Sequence, residues 1–220
     1  MAEHFLYKIA LLIFLLYLPD TGKAQELWSG GTLELDLLKG LSLEMTSQVR
    51  LEDGLARYNG YYGEAGMGYK INKYFKVKAS YRYTNKAGHH DSEIRPTNNR
   101  ERITGDLNFD IGKDVNFKYR FRYQYAKERN TDKEYNYLRN KFSVKYGLHK
   151  RAEPYIEAEL FYRLDGKNEL RAHRHTIGLD SKITDNLSVK NFYRVEKEIN
   201  TNFPQKYYII GIMFSYKLSR

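Results

Sequence analysis

Along most of the chain after residue 25, apolar and polar side chains alternate with a period of two. In residues 41–51, for example, five of the six odd positions are apolar and all five even positions are polar. Because successive side chains of a β-strand point to opposite faces, this pattern predicts a strand that separates two environments of different polarity.

The same alternation occurs in ten segments, which differ only in whether the odd or the even positions are apolar. The segments are residues 41–51, 61–71, 75–83, 103–111, 115–125, 138–148, 154–164, 175–183, 187–195 and 208–218. Their apolar faces hold 56 positions, and none of these is Asp, Glu, Lys or Arg. Most segments have about the ten residues that a tilted strand needs to cross a bilayer. The pattern predicts an all-β fold, an antiparallel transmembrane up-and-down β-barrel of about ten strands, with twelve as the alternative.

An eleventh segment complicates this count. Residues 28–38 also alternate, with Leu33, Leu35 and Leu37 on one face. Since bacterial barrels have even numbers of strands, we expect this segment at a rim or in the lumen, unless a strand has been merged or missed elsewhere.

The connections between the segments are predicted to alternate between short and long. Tight turns are expected at residues 72–73, 112–114 and 184–186, and longer polar loops at 52–60, 84–99, 126–136, 165–169 and 196–205. Membrane barrels have short periplasmic turns and longer outer loops. By this rule the C-terminus lies on the periplasmic side.

The first 24 residues have the features of a cleaved secretory signal peptide. Lys8 precedes an apolar run, residues 9–18, that is too short to span a bilayer as a helix. Pro19 ends the run, and Gly22 and Ala24 are small residues at the positions that determine cleavage. We expect cleavage before Gln25 and a barrel over residues 25–220, with an uncleaved N-terminal anchor as the alternative.

Alternation alone does not decide whether the apolar face points to lipid or into a soluble, lipocalin-like cavity. Mean hydropathy is negative, but a membrane barrel needs only one apolar face per strand. Tyr side chains cluster near the strand ends, as in the aromatic girdles of membrane barrels. The last strand carries Gly211, Phe214 and Tyr216, which resemble a C-terminal signal for the barrel assembly machinery. These features favour an outer-membrane barrel that contacts membrane lipid and lipopolysaccharide.

A family resemblance is carried by Trp28 and by residues 43–50, 68–71, 81–82, 173–179 and 210–211. In these residues the chain resembles the small outer-membrane barrels of domain-of-unknown-function family 2490. The likeness extends over nearly the whole mature chain. It implies an outer-membrane location in a Gram-negative bacterium, and it implies no reaction.

The polar faces of the segments are predicted to line a basic lumen. The chain has 37 basic and 27 acidic residues, a formal charge of +10. By parity, nineteen basic but nine acidic side chains point inward. The candidates for an anion path are Lys78, Arg82, Arg102, Lys118, Arg120, Arg122, Arg139, Lys141, Arg163, Arg174 and Arg194. An excess of buried positive charge requires water or anions, so we expect either a narrow, anion-preferring pore for small anions or a structural barrel that its own side chains plug.

Candidate chemistry is sparse. His173 and His175 share the lipid-facing parity and are the basis for one alternative, a lipid-modifying enzyme, although Ser181 lies six residues further along. A loop cluster at residues 89–93 has metal-ligand types, but adjacent histidines rarely share one ion. The chain has no cysteine, and charge spread over every strand does not form a nucleic-acid site. We expect a non-enzymatic protein without cofactor or metal.

Overall fold

The computed structural model describes residues 25–53, 56–90, 93–112, 114–147, 151–166 and 168–218. In this part of the chain, eleven β-strands form one closed barrel in which each strand pairs with the next along the chain. The strands are β1 (Glu26–Leu38), β2 (Leu41–Glu52), β3 (Arg57–Lys70), β4 (Phe75–His90), β5 (Glu93–Ile111), β6 (Val115–Glu128), β7 (Glu134–Tyr146), β8 (Ala152–Arg163), β9 (Glu169–Lys182), β10 (Leu187–Glu198) and β11 (Lys206–Leu218). No helix among these residues is long and apolar enough to cross a membrane.

The predicted count of ten strands, with twelve as the alternative, is wrong. The eleventh segment is a full member of the wall, because β1 pairs antiparallel with β2 and parallel with β11. Trp28 lies opposite Gly211 on one side and Arg50 on the other. An odd number of strands in an up-and-down order makes the closing pair parallel, and this pair satisfies the backbone groups of both edges.

The apolar faces point outward and the polar faces point into the lumen. Met67, Ile103 and Ile156 on three predicted apolar faces are at least half exposed, at 50, 57 and 58%. Asp106 and Arg122 on the alternate positions are buried. A soluble lipocalin-like carrier requires the opposite orientation, so the barrel does not support that alternative.

The short turns lie where the sequence predicts them. Asn72 accepts hydrogen bonds through its side-chain oxygen from the backbone N–H groups of Tyr74 and Phe75, at 2.8 and 3.0 Å. Thr184 accepts through Oγ1 from the backbone N–H of Leu187 at 3.0 Å. Side-chain acceptors of this kind stabilise tight turns. The barrel end that carries the connections 39–40, 71–74, 112–114, 147–151 and 183–186 is called the turn end.

The predicted loop at residues 84–99 is wrong, because most of it continues the ladder of β4 and β5. Asn85 pairs with Asn99 across the two strands, and their side chains share a hydrogen bond of 2.9 Å. Backbone pairing does not need apolar alternation, so the strands extend past the apolar band. The connections 53–56, 91–92, 129–133, 164–168 and 199–205 define the loop end of the barrel.

One side of the lumen is apolar. Trp28, Tyr155, Phe192 and Ile209 form a buried cluster, against which Tyr207 and Met213 pack; these six side chains are called the aromatic wall. Gly211 leaves the space that the ring of Phe192 occupies, since a Cβ there would lie 2.1 Å from a ring atom. Side chains of β1, β8, β10 and β11 thus pack against one another within the lumen.

Candidate functional site

Two cavities in the described part of the lumen share some of their lining residues. The larger, of about 620 Å³, extends from the loop end and is lined by polar side chains of most strands together with the aromatic wall. The smaller, of about 420 Å³, lies at the turn end. Four residues line both cavities and are called the mid-lumen layer: Arg120, Lys141, Glu157 and Lys190. The larger volume is in the range of ligand pockets.

Opposite the aromatic wall, arginines and carboxylates form close ion pairs. This set is called the ionic wall: Glu64, Arg82, Asp106, Arg122, Arg139 and Glu159. Arg122 donates to both carboxylate oxygens of Asp106 at 2.6 Å, and Arg82 Nε donates to Glu64 at 2.6 Å. Both carboxylates are buried, so these are charge-assisted hydrogen bonds shielded from bulk water.

Glu159 is the hub of the ionic wall. Its Oε1 accepts hydrogen bonds from Arg139 at 2.9 Å and Arg120 at 2.5 Å, and its Oε2 accepts from Arg174 at 3.1 Å. Glu157, two residues before it, accepts from Lys141 at 2.9 Å. Both glutamates have the lumen-facing parity of β8, and both form ion pairs with basic side chains of β7.

Two other lumen arginines are held by aromatic rings. The guanidinium carbon of Arg50 lies 4.0 Å from the ring centre of Trp28, and that of Arg194 lies 5.2 Å from the same ring and 4.5 Å from Phe192. Their side-chain hydrogen bonds go to neutral partners, Gln48 and Thr176. Stacking on an aromatic face stabilises a guanidinium without neutralising its charge.

The structure brings eight of the eleven predicted anion-path residues into the larger cavity. They are Arg82, Arg102, Arg120, Arg122, Arg139, Lys141, Arg174 and Arg194. Lys118 lines the turn-end cavity and pairs with Asp110 at 2.7 Å. The linings of the two lumen cavities do not include Lys78 or Arg163; Lys78 pairs with Glu44 at 2.5 Å.

Arg163 is held at the loop-end rim. Its Nε donates to Asp165 at 2.8 Å, and the backbone N–H of Asn136 donates to the same carboxylate at 2.8 Å. Burial raises the pKa of the Asp165 carboxyl, but these hydrogen bonds outweigh burial, and the pKa lies below its ordinary value. Asp165 therefore stays ionised and ties the connection after β8 to β7.

The parity count overestimates the positive charge of the lumen, because it left β1 out. Glu26 lines the larger cavity and accepts a hydrogen bond from Trp28 Nε1 at 2.6 Å. Glu34 and Asp36 approach Lys217 at 3.5 and 3.1 Å. Three carboxylates thus add to the inward-facing set. These carboxylates offset part of the predicted cationic excess.

The sequence interpretation missed the aromatic members of the lumen. Tyr62, Phe161 and Phe192 stack with arginines, at distances of 3.7 Å from Arg82 to Tyr62 and 4.3 Å from Arg139 to Phe161. A signal was present, since each of these aromatic residues shares the parity of the charged positions in its own strand. In this barrel, aromatic side chains on the lumen-facing side of a strand are the residues on which arginines stack.

His173 and His175 lie on the outward face of β9, with Nδ1 of the first 3.0 Å from Nε2 of the second. Ser181 is six residues away along the strand, and Ser47 lies on β2, which is separated from β9 by three strands. A histidine activates a serine only within hydrogen-bond reach. The arrangement of these residues does not support the lipid-modifying enzyme.

Metal-ligand types do not converge in the described part of the chain, where no group of three or more such residues could hold an ion. The loop cluster at residues 89–93 lies outside the side chains that the structure describes. Residues 1–24, predicted to be the signal peptide, also lie outside the described residues.

The residues of the predicted assembly signal divide between the two faces of β11. Phe214 and Tyr216 are exposed on the outside, whereas Gly211 faces the lumen and accommodates Phe192. The glycine therefore has a packing role that is independent of recognition by the assembly machinery.

Comparisons with known proteins identify the chain at the level of a family. The family described as "Protein of unknown function (DUF2490)" matches residues 25–206. None of the curated proteins matches the chain. Among solved structures, an anion-selective porin from Comamonas acidovorans is similar in fold, with a TM-score of 0.39 and 10% identity over 78% of this chain. The match covers 55% of the porin, and a likeness at this level carries no argument about function.

Proposed function

The chain belongs to the family of proteins of unknown function DUF2490, and we propose that it is an integral outer-membrane barrel whose lumen is a narrow, anion-preferring pore. Support for the membrane location comes from the outward apolar faces, which leave side chains such as Ile103 and Ile156 exposed around a closed barrel. A surface of this kind in water would be an aggregation liability, whereas lipid solvates it.

The observation that carries the pore is the set of lumen cations without a carboxylate partner. Arg50 and Arg194 stack on aromatic rings, and the Nε of Arg102 is buried without a hydrogen-bond partner. None of the three forms an ion pair among the described residues. All three line the larger cavity. A water-accessible lumen with uncompensated positive charge favours anions and disfavours cations.

A closed structural barrel is the second candidate, and the mid-lumen layer favours it. Lys141 and Glu157 form an ion pair of 2.9 Å, and Arg120 reaches Glu159 at 2.5 Å. These side chains lie between the two cavities, where barrels near this size have little free bore. Conduction requires that hydrated anions pass between these side chains or displace them.

The proposed contacts with the cell follow from the outer face. Membrane lipid and lipopolysaccharide would surround the apolar band, and Phe214 and Tyr216 on the last strand would be read by the barrel assembly machinery of a Gram-negative bacterium. Their outward exposure on β11 is compatible with both contacts.

The test is electrical. Residues 25–220 are refolded into planar bilayers, and conductance and reversal potential are measured across a chloride gradient. We expect small openings with a reversal potential on the anion-selective side. Phe121→Arg, which places a charge on the outward face of β6, is the negative control, because such a charge costs about 2–4 kcal/mol at the bilayer midplane.

The outcomes separate the two candidates. Insertion without conductance supports the closed barrel, and cation-selective openings would contradict the anion pore. If the native barrel does not conduct and the double variant Lys141→Gln, Glu157→Gln does, the side chains of the mid-lumen layer block the lumen.

A further inference from the structure

Arg102 is placed where its charge has no local compensation. It points into the lumen from β5, and its Nε is buried without a hydrogen-bond partner in the described part of the protein. Its directly paired residue on β4 is Arg82. Like charges opposite each other on neighbouring strands are destabilising, so this position costs stability unless something else supplies negative charge.

The surroundings of Arg102 are also arginines. The charges that act on it most strongly are those of Arg82, Arg139, Arg100 and Arg122. Each of these four has a carboxylate partner: Glu64 for Arg82, Glu159 for Arg139, Glu128 for Arg100 and Asp106 for Arg122. The nearby carboxylates are therefore engaged elsewhere, and Arg102 is the one member of this set without an ion pair among the described residues.

All five arginines line the cavity of about 620 Å³, which has room for a solute. Buried charges in proteins are paired with an opposite charge or with a bound ion. The planar guanidinium fork matches the oxygen geometry of phosphate and sulfate, whereas a spherical halide cannot accept its hydrogen bonds in pairs.

We propose that Arg102 is the centre of a binding site for a small multivalent oxyanion of the phosphate or sulfate class, flanked by Arg82 and Arg100. The anion takes the place of the missing carboxylate between Arg82 and Arg102. This inference rests on the proposed function, because the ligand must enter the lumen. It adds a saturable binding site to a pore that would otherwise only prefer anions over cations.

Trp28 provides an intrinsic probe. It is the only tryptophan of the chain and lines the same cavity. The chain 25–220, refolded in detergent micelles, is titrated with inorganic phosphate at constant ionic strength while Trp28 emission and the heat of binding are followed. We expect saturable binding of phosphate and sulfate, and weak, non-saturating effects of chloride and acetate.

Two variants test the role of Arg102. Arg102→Gln should weaken phosphate binding by about tenfold or more, since it removes a charge-assisted hydrogen-bond donor. Arg102→Lys, which keeps the charge without the fork, should bind more weakly than the native protein. The matched control is Arg129→Gln, a charge loss at an arginine that pairs with Glu101 outside the cavity; it should leave the affinity unchanged.

Each result has a meaning of its own. Absence of saturable phosphate binding, equal binding of chloride, or unchanged affinity in Arg102→Gln would overturn the oxyanion site. An anion-selective conductance of the same chain in planar bilayers would leave the proposed function standing in those cases. Saturable phosphate binding in a barrel that never conducts would retain the site and remove the pore.

Discussion

The two walls of the lumen hold their arginines in different ways. On the ionic wall, Arg122 and Arg139 donate hydrogen bonds to the carboxylates of Asp106 and Glu159, at distances of 2.6 and 2.9 Å. On the side of the aromatic wall, Arg50 and Arg194 lie against the ring of Trp28, at 4.0 and 5.2 Å. Among the described residues, their side chains donate hydrogen bonds to neutral partners, Gln48 and Thr176. The first arrangement neutralises the charge, and the second holds it in place.

The difference shows where a lumen of this kind keeps its selectivity. An ion pair fixes the side chain but cancels its field, and its main contribution is to bind neighbouring strands together. A guanidinium stacked on an aromatic face keeps its charge and some of its donor edge. We therefore expect the loss of a carboxylate from the ionic wall to reduce the stability of the barrel most. The loss of Arg102, or of the arginines that stack on the aromatic wall, should reduce its preference for anions most.

The largest expected effect is at Glu159. Glu159→Gln removes the negative charge that Arg120, Arg139 and Arg174 share. Uncompensated buried charge should reduce the free energy of unfolding by about 3–5 kcal/mol. The measurement is urea unfolding in detergent, followed by Trp28 emission and by the electrophoretic shift of the folded barrel.

Glu101→Gln is the matched control for this prediction. Glu101 forms its ion pair with Arg129, whose side chain is 60% exposed, and exposed pairs contribute less than about 1 kcal/mol. Equal losses in the two variants would show that the ionic wall does not carry the stability assigned to it.

A smaller effect is expected in the aromatic wall at Gly211. Gly211→Val should reduce the free energy of unfolding by about 1–3 kcal/mol, because the new side chain overlaps the ring of Phe192. Refolding in detergent uses no assembly machinery, so this measurement isolates packing from any recognition of the last strand.

Two further variants check that the cause is the contact with Phe192. Gly31→Val changes a glycine at which an added Cβ meets nothing closer than a backbone oxygen at 3.8 Å, and it should be tolerated. Combining Gly211→Val with Phe192→Leu should recover part of the loss. If the double variant is no better than the single one, strain elsewhere in β11 is responsible.

The sequence predicted the strands and their faces because both depend on neighbouring residues. The alternation around Met67 or Ile156 shows which side chains share a face without knowledge of any partner strand, and the aromatic side chains near the strand ends favoured the outward direction for the apolar face. Strand number could not be read in the same way, since the parallel pairing of Trp28 with Gly211 joins the two ends of the described chain. The strand content of polar segments such as residues 84–99 was also missed, because the backbone pairing of β4 and β5 continues beyond the apolar band.

The candidate site was predictable as a set of basic inward positions, but its internal arrangement was not. Whether an arginine is neutralised depends on register across strands that are distant in sequence, as for Arg120 and Glu159. Nothing local distinguishes Arg122, which is opposite Asp106, from Arg102, which is opposite Arg82. Parity assigns a side chain to the lumen, and only the pairing of strands assigns its partner.

The smallest expected change in stability, and the sharpest test of the comparison, concerns Arg50 and Arg194. Replacing both with Gln removes two stacked guanidinium groups. A cation–π contact at a site open to water contributes about 0.5–1 kcal/mol, so the free energy of unfolding should change little. The reversal potential across a chloride gradient should nevertheless move toward the non-selective value, because neither arginine forms an ion pair among the described residues. Arg163→Gln is the control, since Arg163 pairs with Asp165 at the rim. A larger loss of anion preference in Arg163→Gln than in the double variant would place the selective charge at the entrance and not at the aromatic wall.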